Sequence, residues 1–293
     1  MGFIESYILN FPQSWQIHLG NTIDDAVKGF SRIHQAELRA IRSVVISAVN
    51  GIHYTLATIP WILLVLLVIG MAWYLTKKVY VGCLYGLMLT FIGCCGLWQQ
   101  MLQTLSIVIA SVILCVFIGF PLGVLLALSK RANSVIRPIL DTMQTMPSWV
   151  YLVPAVMLFS VGITPALLAT TIYAIVPIVR LTSHGLIYVD KEMLEAAYAF
   201  GSTTTQALLK VQIPQAIPTL MTGVNQTIMM AMSMVVTCSL IGANGLGMEI
   251  LLATNRVEMG KSLLPGISIV IVAIILDRMT QYAIRRSEKA IDA

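Results

Sequence analysis

Seven long apolar runs dominate this sequence and constrain its fold more than any other feature. Most are close to the roughly 20 residues that a helix needs to cross the hydrocarbon core of a bilayer. They cover residues 57–75, 79–98, 104–128, 148–161, 165–181, 217–241 and 263–284. The fourth run is short, and we expect residues 138–146 to continue it beyond a kink at Pro147. The pattern predicts an all-α fold: a polytopic membrane helix bundle with about seven transmembrane helices.

Composition supports the same fold class. Hydrophobic residues make up 58% of the 293 residues and charged residues 11%, whereas soluble domains have about 45–50% apolar and about 25% charged residues. These values exclude a disordered chain and a disulfide scaffold. The net charge of +5 requires no nucleic-acid partner, because basic loops are normal in membrane proteins. The five cysteines lie in apolar runs and the four histidines are scattered, so we predict no metal site and no cofactor on this chain.

The basic residues between the runs predict the orientation. They form four groups: Lys77 and Lys78; Lys130, Arg131 and Arg137; Lys191 and Lys210; Arg285, Arg286 and Lys289. With seven spans all four groups share one side, which the positive-inside rule assigns to the cytoplasm. The N-terminus is then outside, and residues 282–293 form a cytoplasmic tail. Four basic residues at positions 28, 32, 39 and 42 oppose this assignment, but the internal groups outnumber them.

Residues 1–56 differ from the rest of the chain. From Ile23 onward, apolar residues recur mostly at spacings of three and four, which predicts one or two amphipathic helices. The segment carries too many charges to span a membrane. Two interpretations remain open: the helices lie in the membrane interface, or they pack on the bundle. We expect residues 57–98 to form two accessory transmembrane helices before the main bundle.

The loop at 182–216 is long and polar. Asp190 is placed to cap a helix over residues 191–200, and Gly201 to end it at the C′ position. A second short helix fits residues 203–211. Small residues at 196, 197, 199 and 201 suit insertion of this loop into a cleft on a partner protein, although it also fits an ordinary connection between helices.

At this loop the sequence resembles a known family. The pattern consists of Glu195-Ala196-Ala197, three intervening residues, Gly201, nine intervening residues and Val211-x-Ile213-Pro214, and it resembles the EAA loop of ABC importer permeases. The residues at 211 and 213 depart conservatively from the usual Ile-x-Leu-Pro ending. Segments 143–154, 223–230, 233–236 and 275–281 are similar to permeases of glycine betaine/proline betaine uptake systems. The resemblance covers residues 101–281.

The resemblance implies a fold, a function and partners. Residues 101–281 would form the five-helix core of a type I ABC importer, with Glu195, Ala196, Ala197, Gly201 and Pro214 coupling it to a separate ATPase. The chain has no Walker A motif, so it is expected not to be an enzyme, and ATP and Mg²⁺ would bind the partner. Other expected partners are an extracellular substrate-binding protein, a second copy of the permease in a homodimer, and membrane lipid. The expected location is the plasma membrane of a prokaryote.

Two alternatives to this function stay open. Choline or carnitine could replace glycine betaine as the transported solute. An ion-coupled secondary transporter is the alternative from another class, but it would usually contain an internal repeat, and none is evident between the two halves of the sequence.

Polar residues inside membrane spans are candidates for the transport pathway. The candidates are Gln144, Trp149, Tyr151, Asn225, Gln226 and Ser233. The two aromatic residues could face a quaternary ammonium group, or they could simply lie at the membrane interface. Asp277 and Arg278 are expected to form an ion pair. The glycine-rich run 241–247 is interpreted as a tight turn on the outer side.

Overall fold

The computed structural model describes residues 19–291, and all regular structure in that range is helical. Residues 1–18 of the predicted N-terminal segment, the last two residues of the predicted C-terminal tail and the side chain of Lys289 lie outside the described part. The α-helices are α1 Leu19–Ile33, α2 Gln35–Thr58, α3 Trp61–Thr76, α4 Val79–Cys94, α5 Trp98–Leu128, α6 Lys130–Thr145, α7 Trp149–Phe159, α8 Ile163–Ile187, α9 Lys191–Ala199, α10 Thr204–Ala207, α11 Ile213–Cys238, α12 Leu246–Asn255 and α13 Met259–Ile291. The all-α fold class is confirmed.

Four helices of the described chain are long and apolar enough to cross a membrane by length and composition. They are α5, α8, α13 and the continuous helix Thr204–Ile241 that contains α10 and α11. Helices α2 and α3 pass the same test only together, and they are bent by 93° at their junction. With 16 and 11 residues, α4 and α7 are shorter than a full span. The count of about seven spans therefore stays a prediction.

The fourth predicted span is divided into two separate helices. Helix α6 begins at Lys130, where the Ser129 hydroxyl accepts a hydrogen bond from the Ala132 N–H (3.2 Å). It ends at Thr145, because the residue before a proline is disfavoured in α-helical conformation and Met146 is extended. Helix α7 then starts at Trp149. The expected kink at Pro147 is thus a complete break in the helix.

One other predicted boundary was wrong. The second loop helix does not stop at residue 211, because a π-helical turn at Leu208–Gln212 joins α10 directly to α11. Pro214 follows this π turn directly, and its missing N–H removes one hydrogen bond from the continuous helix at this point. The segment between the glycine-rich turn and α13 contains a further helix, α12.

Helix α8 is the centre of the bundle. It packs most extensively against α5 on one side and α11 on the other. The α5 contact depends on two glycines one helical turn apart, Gly119 and Gly123. A Cβ atom at position 119 would lie 2.5 Å from Cγ2 of Ile178, and one at position 123 would lie 2.8 Å from the Val179 carbonyl oxygen. Small residues at this spacing let membrane helices approach closely.

The N-terminal helices differ in how they contact the bundle. Helix α2 packs across α5 and buries Val49, with Val45 and Ile52 partly buried beside it. Helix α1 contains no buried residue; most of its apolar side chains are exposed, although it contacts α7. The structure therefore favours the packed interpretation for α2 and leaves the membrane-interface interpretation open for α1.

We expect Gly123→Ala to destabilise the bundle, because the added methyl group overlaps Thr182 and the backbone of Val179 on α8. Overpacking of this kind costs about 1–3 kcal/mol. The measurement is the apparent melting temperature of the purified protein in detergent. Gly70→Ala is the matched control, because no atom lies within 4 Å of a Cβ at that exposed position. Equal melting temperatures for the two variants would contradict the role of this contact.

Candidate functional site

Residues 190–207 form a compact projection, hereafter the knob, between α8 and α11. The carboxylate of Asp190 caps α9 by accepting a hydrogen bond from the Glu192 N–H (2.9 Å). At the other end Gly201 adopts φ +83°, a conformation that favours glycine. The N–H of Gly201 donates to the Tyr198 carbonyl (2.9 Å), and the N–H of Ser202 donates to the Ala197 carbonyl (3.0 Å). This pair of bonds is a Schellman motif, so the predicted cap and helix end are confirmed.

The second half of the knob is joined firmly to the membrane helix that follows. Thr203 and Gln206 form a capping box, in which the Thr203 hydroxyl accepts from the Gln206 N–H and the Gln206 side chain accepts from the Thr203 N–H. The chain then continues as helix through the π turn into α11. The side-chain amide of Gln212 also donates to the Leu186 carbonyl at the end of α8 (3.3 Å). A force on the knob therefore acts directly on α11.

The coupling residues predicted from the sequence lie on or next to this knob. Glu195, Ala196 and Gly201 are exposed, whereas Ala197 and Pro214 are partly buried. Their positions leave a surface of small side chains accessible to another protein. Whether these residues couple the chain to a partner stays a prediction.

An exposed apolar patch on the knob went unrecognised in the sequence. Phe200 is 91% exposed, and Met193 and Tyr198 are also exposed on α9. The sequence pattern identified residue 200 only as the last residue of a predicted helix. Its exposure could have been predicted from its position directly before the C′ glycine. The chain leaves the helix there, and a side chain can point outward.

The proposed pathway residues do not form one cluster within the chain. Trp149 and Tyr151 point to different sides of α7: the first is exposed, and the second packs edge-on against Tyr173 of α8. The Tyr151 hydroxyl donates to the Met143 carbonyl across the break between α6 and α7 (2.6 Å). It thereby satisfies a carbonyl left free at the end of α6. Gln144 is exposed in the last turn of α6.

Three further candidates lie on α11 and face two different environments. Gln226 and Ser233 are exposed and seven residues apart, so they share one face of the helix. Asn225, in contrast, is buried against α13. Its side-chain amide donates to Asp277 (2.8 Å), and its carbonyl oxygen accepts from the Thr280 hydroxyl (2.6 Å). This geometry favours a structural role for Asn225.

The expected ion pair between Asp277 and Arg278 is not present, and that prediction was wrong. Asp277 instead accepts hydrogen bonds from Asn225 and from the Gln281 side chain (2.8 and 2.9 Å). Arg278 is exposed. Successive residues on an α-helix point about 100° apart, so the carboxylate faces α11 while the guanidinium faces away. The network therefore connects α13 to the same helix that continues from the knob.

The glycine-rich run after α11 forms the predicted tight turn. Gly242 and Gly245 have positive φ values of +80° and +131°. A side chain at position 245 would collide with Thr104, whose hydroxyl accepts a hydrogen bond from the Leu246 N–H (2.9 Å). The Gly162 N–H donates to the Ile241 carbonyl (2.9 Å). These bonds connect the turn to α5 and to the α7–α8 loop.

We expect Asn225→Leu to destabilise the protein, because it leaves the partly buried Asp277 carboxylate and Thr280 hydroxyl without a partner on α11. An unsatisfied buried polar group costs about 1–3 kcal/mol. Thermal unfolding of the purified protein measures the effect. Gln226→Leu is the adjacent control, since that side chain is exposed. If uptake fell in Asn225→Leu without any loss of stability, a pathway role would replace the structural one.

These features define a class: a multi-pass membrane protein whose bundle carries a capped, exposed knob. The family model for the inner membrane component of binding-protein-dependent transport systems matches residues 119–289. The chain belongs to this family. Within residues 19–291, no group of three or more His, Cys, Asp or Glu residues could hold a metal ion.

Several curated relatives are similar along most of their length. The chain is 43% identical over 259 residues to the glycine betaine/proline betaine transport system permease protein ProW of Escherichia coli, covering 88% of this chain and 72% of that one. It is 41% identical to the glycine betaine transport system permease protein OpuAB of Bacillus subtilis, covering 91% and 94%. The glycine betaine/carnitine transport permease protein GbuB of Listeria monocytogenes is 42% identical, with 92% and 96% covered.

A solved structure supports the fold. A chain of the MetNI methionine ABC transporter, in an inward-facing conformation, superposes with a TM-score of 0.59. The match covers 63% of this chain and 93% of that one at 22% identity. Identity at this level supports the shared fold alone. The type I ABC importer permease architecture is therefore the fold of this protein.

Proposed function

We propose that this chain is the permease subunit of an ATP-driven importer for glycine betaine, proline betaine and similar compatible solutes. The single observation that carries the proposal is the exposed knob, which is continuous with α11 and suited to receive a force from another protein. The relatives described above, whose names give glycine betaine as the substrate, support the choice of solute. A choline transport system permease of Bacillus subtilis is more distant, at 31% identity, so choline is the less favoured solute.

The knob would dock on a separate ATPase subunit, which binds ATP and Mg²⁺. Phe200, Met193 and Tyr198 would supply apolar contact area, and the small residues Ala196 and Gly201 would allow close approach. Closure of the ATPase would push the knob, and α11 would carry the displacement into the membrane. Through Asn225 and Asp277, α13 would move with α11.

Two copies of the chain would enclose the pathway. The face of α11 that carries Gln226 and Ser233 is exposed in the single chain, and polar groups on such a face suit a hydrated route. A betaine keeps its quaternary ammonium charge at every pH and has no N–H to donate. Exposed aromatic residues such as Trp149 could stabilise it by cation–π contact. An extracellular binding protein would deliver the solute to the outer turns.

The positive-inside rule supports an orientation with the knob in the cytoplasm and the turn at 242–245 outside. Single cysteines at positions 130, 210 and 244, in a background without the five native cysteines, test this orientation. We expect an impermeant thiol reagent to label only position 244 in intact cells. Labelling at 130 or 210 but not at 244 would reverse the orientation.

We expect Phe200→Ser to weaken binding of the ATPase subunit, because it removes the most exposed apolar side chain from the knob. Loss of an aromatic anchor from an interface typically costs about 2 kcal/mol or more. Co-purification of the two subunits and betaine-stimulated ATP hydrolysis measure the effect. Met259→Ser is the control, since Met259 is 82% exposed but lies at the start of α13, away from the knob. Similar binding by both variants would contradict docking at the knob.

Reconstitution into liposomes tests the complete proposal. Together with its ATPase, its binding protein and internal ATP, the chain should accumulate glycine betaine against a gradient. Other methylated ammonium solutes should compete strongly and glycine weakly, because recognition follows enclosure of the methylated group.

The chain alone is the control in that experiment. Accumulation by the isolated chain under a sodium or proton gradient would replace the ABC mechanism with ion-coupled transport. ATP-dependent uptake that ignores betaine would keep the class of transporter and reject the solute.

A further inference from the structure

A cavity of about 480 Å³ lies outside the features described so far, between the C-terminal ends of α5 and α8 and the side of α6. Its basic wall contains Arg137 from α6 and Arg180 and His184 from α8. Its apolar wall contains Leu126 from α5, Leu140 from α6 and Ile187 from α8. A basic wall facing an apolar wall suits an amphipathic ligand with an anionic head.

The charge in this cavity is not balanced by the described part of the chain. No carboxylate lines the cavity. Asp141 forms an ion pair with Arg180 from outside the lining, which leaves Arg137 without a carboxylate partner in the described residues. In addition, Nε of Arg180 is buried and has no acceptor there. Guanidinium groups with unused hydrogen-bond donors favour binding of an anion. Their planar set of N–H groups fits the oxygens of a phosphate in particular.

The position of the cavity indicates where that phosphate comes from. Leu126 is two residues from the end of α5, and Ile187 is the last residue of α8. Both helices are long enough to cross the membrane, so the cavity lies at the level of the lipid headgroups. Basic pockets between membrane helices at this depth are suited to acidic headgroups. A free phosphate ion would gain nothing from the apolar wall, whereas the glycerol and upper acyl chain of a lipid would bury against it.

We propose that this cavity binds the phosphate headgroup of an anionic phospholipid, with Arg137 and Arg180 holding the phosphate. The bound lipid would join α6 to the ends of α5 and α8, where the described chain has only the Asp141–Arg180 ion pair between α6 and α8 side chains.

Lipid retention by the purified full-length protein tests this site. Native mass spectrometry should detect phosphatidylglycerol bound more tightly than phosphatidylcholine. Arg137→Gln should lower the affinity for phosphatidylglycerol about tenfold, the effect of losing one charge-assisted hydrogen bond. Because Arg137 is exposed on α6, the variant is expected to elute from size exclusion like the unaltered protein.

Lys130→Gln is the matched control, since it removes a positive charge from the same helix but outside the cavity. Equal losses in the two variants would indicate general surface attraction and overturn the proposal. Excess inorganic phosphate forms the second arm of the experiment. Retention of phosphatidylglycerol in its presence supports the lipid site, whereas displacement at millimolar phosphate would assign the cavity to the free ion. An unchanged lipid preference in Arg137→Gln would also reject the site.

Discussion

The close contact between α5 and α8 is the constraint on which the rest of the bundle depends. In a bilayer, apolar helices gain little from hiding apolar surface, because lipid is equally apolar. Association instead depends on close packing, and Gly119 and Gly123 allow the α5 backbone to approach Ile178 and Thr182 on α8. With α8 fixed in this way, its other side is available to α11. The position of the knob follows from that arrangement, because the knob connects these two helices.

Polar groups then determine which helices move together. The break between α6 and α7 is stabilised by the hydroxyl of Tyr151, which replaces a lost helical hydrogen bond. Asn225 and Asp277 connect α11 to α13 through a partly buried hydrogen bond. Since α11 is continuous with α10, the knob is joined to α11 along the chain and through α11 to α13 by a hydrogen bond. Such a connection is what a transporter driven from outside the membrane requires.

Local sequence patterns predicted local structure well. Asp190 and Gly201 mark the two ends of α9 correctly, because capping depends only on neighbouring backbone groups. Boundaries inside the membrane were less predictable. The π turn before α11 leaves no signal in a pattern of apolar residues, and α12, with 10 residues, is too short to be recognised as a span. Proline at position 147 correctly predicted an interruption of the fourth span. It did not show that α6 would end there completely.

By itself, the sequence determined that the protein is a helical membrane protein with a capped loop between two spans. Apolar run length and capping residues act within a single segment, so they can be recognised without the fold. Only the tertiary structure decided that Asn225 is buried while Gln226 is exposed, and that Arg137 and Arg180 share a cavity. Those outcomes depend on which face of each helix meets a neighbour. A span that is apolar on all sides has no amphipathic pattern to show which face packs inward. Which side chains are buried therefore depends on packing between distant segments of the chain.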